Sequence, residues 1–211
     1  TDLTLSSVRG SDMSERPLVI GVCGGIGSGK SVVRRVLGLL LDCPTYDCDT
    51  RAKALYRDPV VRAEITSLLH EDPIDQDGRL KKELLSSALH DEHLRPLLEG
   101  SIHEAVRKDF AHWLAESAEP YAILESGILF SSGMDKCVDC SIEVAADEAL
   151  RSRRTQLRDR SHGATQYRSM SSLQLKEADL RERLADYTIC NNEFDSLIHQ
   201  CERIIIEINH R

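Results

Sequence analysis

The segment GVCGGIGSGKSVVRRVL, residues 21–37, constrains the fold more than any other part of the chain. The apolar, β-branched run at 18–23, bounded by Pro17 and by glycines, reads as a buried parallel strand. From Val32 to Leu41 apolar residues recur at helical spacing, with Arg34 and Arg35 expected off the buried face. Glycine at the strand-to-helix turn admits backbone angles that a Cβ forbids. A turn free of Cβ atoms can wrap its N–H groups around an anion, and the helix behind it points its positive end at the same place. Gly24, four residues, then Gly29-Lys30-Ser31 is the phosphate-loop spacing G-x-x-x-x-G-K-[ST]. In that pattern Lys30 reaches the β- and γ-phosphates of a nucleoside triphosphate, and the Ser31 hydroxyl ligates Mg2+. The expected triphosphate contacts are Gly25, Ile26, Gly27, Ser28, Gly29, Lys30, Ser31 and Val32. This pattern names a ligand class and leaves the reaction open.

Five runs read as strands, at 18–23, 45–46, 122–124, 141–144 and 187–190, with helical patterns between them. Such alternation implies an α/β fold, a parallel sheet with helices on both faces. The gap between the second and third strands is too long for one crossover helix. From about 57 to 119 it reads as several helices, near 60–69, 80–90 and 94–118, with a turn at Asp77-Gly78. That insertion is expected to form a helical lobe beside the phosphate loop, where a second substrate sits. After the fourth strand the chain is dense in arginine, at 151, 153, 154, 158, 160 and 168, and then small and polar in RSHGATQYRSMSS. A solvated helix face accounts for most of these arginines. The sharper expectation is a lid at about 151–174 that closes over a triphosphate and neutralises its charge.

The net charge of −8 argues against nucleic acid as a bulk partner. No apolar run reaches membrane-spanning length. Residues 1–12 lack the apolar core of a signal peptide and read as a leader or disordered tail ahead of Met13, with 13–211 as a single domain. Seven cysteines, an odd and scattered set, suit reduced thiols in a cytoplasmic protein. Cys137-Val-Asp-Cys140 has C-x-x-C spacing but no second ligand pair for zinc. His90 and His93 read as solvated.

Asp47 and Asp49 follow the second strand, at the carboxyl edge of the sheet where ligands bind. Two residues apart on an extended segment, they are expected to point the same way. One would accept the proton of an attacking hydroxyl while the other organises Mg2+ and its waters. Asp49 is also placed to cap the helix that starts at TRAKAL. Glu125 ends the third strand, near the metal's water shell or as a cap for the turn that follows.

Taken together, the chain resembles the dephospho-coenzyme A kinase family over about residues 18–211. GGIGSGKS matches the family's phosphate loop almost to the letter. YDCDTRAKAL is similar to its Asp-x-Asp motif, and DGRLKKELL to a turn and helix of its substrate lobe. RTQLRDR followed by Gln174 resembles its lid, and LADYTICNNE its C-terminal strand. The resemblance implies a P-loop kinase fold, three-layered, with sheet order 2-3-1-4-5. It also implies a reaction: ATP, with Mg2+, phosphorylates the ribose 3′-hydroxyl of dephospho-coenzyme A, the last step of coenzyme A biosynthesis. By the same resemblance Asp49 is the general base, Arg158 a lid arginine on the triphosphate, and Arg154 a weaker candidate for that contact. Asn191 and Asn192 lie near adenine, and Asp47, Asp49, Lys53 and His103 face the acceptor. Mg2+ falls to Ser31, with Asp47 and Glu125 as candidates through water.

The sequence departs from the family where Pro-Leu-Leu, an aromatic and Glu become Gly127-Ile128-Leu129-Phe130-Ser131. Its His-Pro is His103-Glu104 here, and an arginine four residues after the second Asp is Lys53. A P-loop kinase for a nucleoside or nucleotide fits the phosphate loop and lid equally well. A GTPase switch lacks its Asn-Lys-x-Asp. Intact Lys30, Ser31 and Asp49 count against a degenerate, regulatory kinase.

Overall fold

The computed structural model describes residues 16–158 and 172–210. In chain order the elements begin with β1 (Leu18–Gly24), α1 (Lys30–Leu40), β2 (Thr45–Asp47), α2 (Cys48–Leu55), α3 (Pro59–Leu69), α4 (Lys82–His90) and α5 (Leu94–Ala115). There follow β3 (Tyr121–Glu125), a 3-10 turn (Met134–Cys137), β4 (Cys140–Ala145), α6 (Glu148–Arg158), α7 (Ser172–Leu184), β5 (Tyr187–Cys190) and α8 (Leu197–Asn209). The chain divides into two compact units, one of residues 1–46 and 116–211, the other of residues 47–115.

The first unit is built on a five-stranded sheet of order β2-β3-β1-β4-β5. β1 lies at its centre, paired in parallel with β3 from Leu18↔Tyr121 to Val22↔Glu125 and with β4 from Ile20↔Cys140 to Gly24↔Val144. β4 pairs with β5 from Ile142↔Tyr187 to Ala145↔Cys190. The five strands are those expected, four of them longer by a residue at one or both ends. Alternation sorts β1 into two faces. Ile20 and Val22 join Val33 and Leu37 of α1, Ile142, Val144 and Ile189 of the sheet, and Ile204, Ile205 and Ile208 of α8 in one buried cluster. The opposite face of β1 carries Val19, Gly21 and Cys23, all buried. A Cβ on Gly21 would stand 3.1 Å from Val138 and 3.2 Å from Leu129, so the segment after β3 packs directly on the strand.

The second unit is helical. Val61 and Ile65 of α3, Ala88 of α4, and Leu98 and Ile102 of α5 form its core, with Ala52 and Leu55 of α2 against it. Asp58 caps α3 by accepting from the N–H groups of Val60 and Val61, with Pro59 at the first turn, where its missing N–H costs nothing. The turn at 75–79 closes as Asp75 Oδ1 accepts from Asp77 N at 2.9 Å and Arg79 N at 2.8 Å, with Gly78 at φ 75°.

Part of the expected lid, including Arg160 and Arg168, falls outside the described residues, as do the side chains of Arg158 and Gln174. Among the described residues no helix is long and apolar enough to cross a membrane.

Candidate active site

The glycine-rich turn leaves the end of β1 and enters α1. Gly24, at φ 152°, admits no side chain, because a Cβ there would lie 2.6 Å from the Val144 carbonyl of the neighbouring strand. Gly27 and Gly29 sit in the left-handed region at φ 75° and 97°. Gly29 is the N-cap of α1 and brings no side-chain hydrogen bond to it. A helix N-terminus capped by no side chain is the kind of end that a phosphate caps. Lys30 folds back over the turn and donates from Nζ to the Gly25 carbonyl at 3.2 Å. Ser28 is fully buried.

Two elements hold this turn from the β4–β5 side. Arg151, in α6, donates from Nε to the Ile26 carbonyl at 3.0 Å, and its guanidinium occupies the space a Gly25 side chain would need. Thr155, one turn on, donates to the Arg151 carbonyl at 2.9 Å, and both crowd Gly27. From the end of β5, Asn191 donates through Nδ2 to the Ser28 carbonyl at 2.7 Å. Arg154 donates to the Asn191 carbonyl at 3.0 Å, which fastens α6 to the same segment. Asn192 Oδ1 accepts from Asp147 N at 3.0 Å, ahead of α6. Sequence reasoning singled out neither Arg151 nor Thr155 as a site residue. Their four-residue spacing puts them on one helix face, but only the tertiary structure says which face meets the turn.

At the other side of α1 the Ser31 hydroxyl donates to Glu125 Oε1 at 2.9 Å. In the turn after β3, Ser126 Oγ accepts from Ile128 N at 3.2 Å. Arg34 is not the solvated arginine expected from the helical pattern. Its Nε lies 2.8 Å from Glu125 Oε2 as an ion pair, and Nη1 donates to Thr45 Oγ1 at 3.2 Å. Ser31 Oγ is a hard oxygen of the kind that fits Mg2+, and the Glu125 carboxylate lies beside it. With its proton directed to Glu125, the Ser31 oxygen keeps its lone pairs for a cation.

Asp47, Asp49, Lys53 and His103 belong to the helical unit. Here the extended geometry expected for the two aspartates does not hold. The helix begins at Cys48, because Asp47 is its N-cap and accepts from Thr50 N at 3.0 Å. Asp49 stands exposed in the first turn of α2, and Lys53 in its last. α2 packs on α5, where Arg51 and Asp109 form a bidentate pair at 2.7 and 2.5 Å. His103 is half-buried on α5, and burial together with the charge of Arg107 holds its imidazole below the usual range.

None of the seven cysteines is in a disulfide. Burial pushes the Cys23 and Cys43 thiols up to about 12 and the Cys201 thiol to about 11, so these are not poised nucleophiles. No group of three or more His, Cys, Asp or Glu side chains among the described residues is placed to hold a metal ion, Cys137 and Cys140 included.

A family model described as Dephospho-CoA kinase matches residues 18–196. A dephospho-CoA kinase of Porphyromonas gingivalis is 41% identical over 190 residues, covering 89% of this chain and 93% of the relative. One from Bacteroides fragilis is 34% identical, covering 88% and 90%. The solved structure of a dephospho-CoA kinase from Campylobacter jejuni shares the fold with a TM-score of 0.61 at 18% identity, covering 91% of this chain and 97% of that one.

Proposed function

Because this chain belongs to the dephospho-CoA kinase family, which uses ATP and phosphorylates dephospho-CoA to CoA, we propose the ribose 3′-hydroxyl as the acceptor and the following roles for its residues. The turn from Gly25 to Val32 holds the triphosphate with its backbone N–H groups. Lys30 leaves the Gly25 carbonyl and moves its charge onto the β- and γ-phosphates. Arg151 and Arg158 add positive charge from α6, and Asn191 fixes the turn on the adenine side. Asp49 accepts the proton of the 3′-hydroxyl as its oxygen attacks the γ-phosphorus. The bond from that phosphorus to the bridging oxygen breaks, and ADP leaves with the electron pair.

Ser31 would hold Mg2+, with Glu125 and Asp47 reaching it through water. When bound, the ion neutralises charge that builds on the β- and γ-phosphates. Glu125 keeps the Ser31 proton turned away from the metal side. The helical unit 47–115 serves as the acceptor lobe, with Lys53 and His103 on its acceptor side, and residues 151–174 as the lid. Seven thiols outside any disulfide suit a reducing compartment, and we place the enzyme in the cytoplasm.

The match of the family model across residues 18–196 is the observation that supports this reading most. ADP release from Mg-ATP tests it, measured with dephospho-CoA and with adenosine and AMP as rival acceptors. Dependence on dephospho-CoA is expected, and the same rate with AMP refutes the acceptor assignment. Lys30→Ala should abolish most turnover with the fold retained. Asp49→Asn should lower kcat by about 10²–10⁴-fold if Asp49 is the base. A change confined to KM would make Asp49 a binding residue instead.

A further inference from the structure

Arg34 has no part in the roles above, yet it is the best-held arginine on α1. Its side chain is only 17% exposed, unlike that of a solvated helix residue, and the Glu125 side chain it meets is 9% exposed. The guanidinium lies against two groups at once, Glu125 Oε2 through Nε and the Thr45 hydroxyl through Nη1. The other Glu125 oxygen takes the Ser31 hydroxyl proton. A chain of contacts therefore runs from Thr45, at the start of β2, through Arg34 and Glu125 to Ser31, in the first turn of α1.

We propose that Arg34 is a positioning residue for metal binding, holding Glu125 so that its Oε1 stays on the Ser31 hydroxyl and its Oε2 cannot swing toward the cation. This rests on the reading of Ser31 and Glu125 as the metal side of the site. A hydroxyl ligates a cation only if its proton points elsewhere, and Glu125 is the acceptor that draws it off. A glutamate has three rotatable bonds, so its carboxylate wanders unless both oxygens are engaged. Arg34 stands against the second oxygen as an ion pair, and its planar group also donates to Thr45 through Nη1, a fixed geometry that a lysine ammonium does not reproduce. A direct partner of a metal ligand, as Glu125 is to Ser31, is worth about 10–100-fold in metal affinity, and Arg34, one contact further out, acts on that figure from its lower end.

The test is calorimetric binding of ATP to the intact chain, with Mg2+ and with EDTA, so that the readout is metal-dependent affinity rather than turnover. Arg34→Met should cut the Mg2+-dependent gain in ATP affinity by about 10-fold, with metal-free ATP affinity and the KM for dephospho-CoA little changed. Arg34→Lys, which keeps the charge, should lose part of that gain, about threefold. A merely structural Arg34 would lower the melting temperature and leave the Mg2+-dependent gain intact in both variants, and that result overturns the proposal. If Arg34→Met does not fold, the lysine variant decides alone, and an undiminished gain refutes. Ser31→Ala separates the two layers. An undiminished gain in that variant removes the metal reading itself, whereas a loss there with none in the Arg34 variants removes only the role of Arg34.

Discussion

Glu177 offers the sharpest test of how the first unit is held together. It is fully buried on α7, and its two carboxylate oxygens accept from the backbone N–H groups of Phe130 at 3.1 Å and Ser131 at 2.8 Å. This is the segment where the chain lacks the acid expected at residue 131, and the structure brings a carboxylate to that backbone from another helix. One turn along α7, Arg181 is also buried and pairs with Glu143 of β4 at 3.2 Å, so removing Glu177 leaves that pair intact. Glu177→Ala strands two half-buried donors, each costing about 1–3 kcal/mol, and relief of the buried charge offsets part of the loss. The net expectation is about 3 kcal/mol of destabilisation, or roughly 6–12 °C in melting temperature for a chain of this size. Glu177→Gln keeps one acceptor and turns an NH2 toward the other donor, so it should cost about 2 kcal/mol. Urea unfolding measures both values, and amide exchange at Phe130 and Ser131 locates the effect. A loss below about 0.5 kcal/mol for Glu177→Ala, with unchanged exchange at both amides, refutes the reasoning.

The glycines separate into distinct classes under substitution. Gly24→Ala should cost about 3 kcal/mol or more, because the Cβ meets the Val144 carbonyl and φ is 152°. Gly25→Ala meets only the flexible end of Arg151 and should stay within about 1 kcal/mol of the parent; thermal unfolding compares the two. Gly100→Ala, inside α5 with open space around the new Cβ, should stabilise by about 0.5–1 kcal/mol. His103 titrates below its usual range in the folded state, so the unfolded chain takes up its proton first as pH falls. Its contribution is complete above about pH 6.5 and is lost as the pH falls below it, and His103→Gln should flatten the stability slope just below about pH 6.5. Iodoacetamide on the native protein at mild alkaline pH should modify exposed Cys190 and spare Cys23, Cys43 and Cys201, which mass spectrometry reads directly.

What the sequence reveals, and what it hides, divides by the range of the interaction. Strand, turn and helix at residues 18–41 are legible because each is decided within a few residues: β-branched runs, glycines where φ turns positive, apolar spacing of 3.6. The five strands come through for the same reason. Asp47 and Asp49 show how a local rule fails when a competing local rule acts first. Alternation on an extended segment is sound physics, but the Asp47 carboxylate captures Thr50 N and starts the helix one residue later, so the second aspartate never lies on a strand. Arg34, Arg151 and Glu177 show a different failure. Each looks like a solvated charge in sequence, since most arginines and glutamates on helices are solvated. Their partners lie far along the chain: Glu125 is on β3, Ile26 in the glycine-rich turn, Phe130 beyond β3. A charge that leaves water needs a partner or several hydrogen bonds to offset its desolvation, and only the fold supplies them. Helical periodicity assigns these three charges to the surface, and the fold instead gives each a partner: Arg151 on the glycine-rich turn, Arg34 on Glu125, and Glu177 on the backbone after β3.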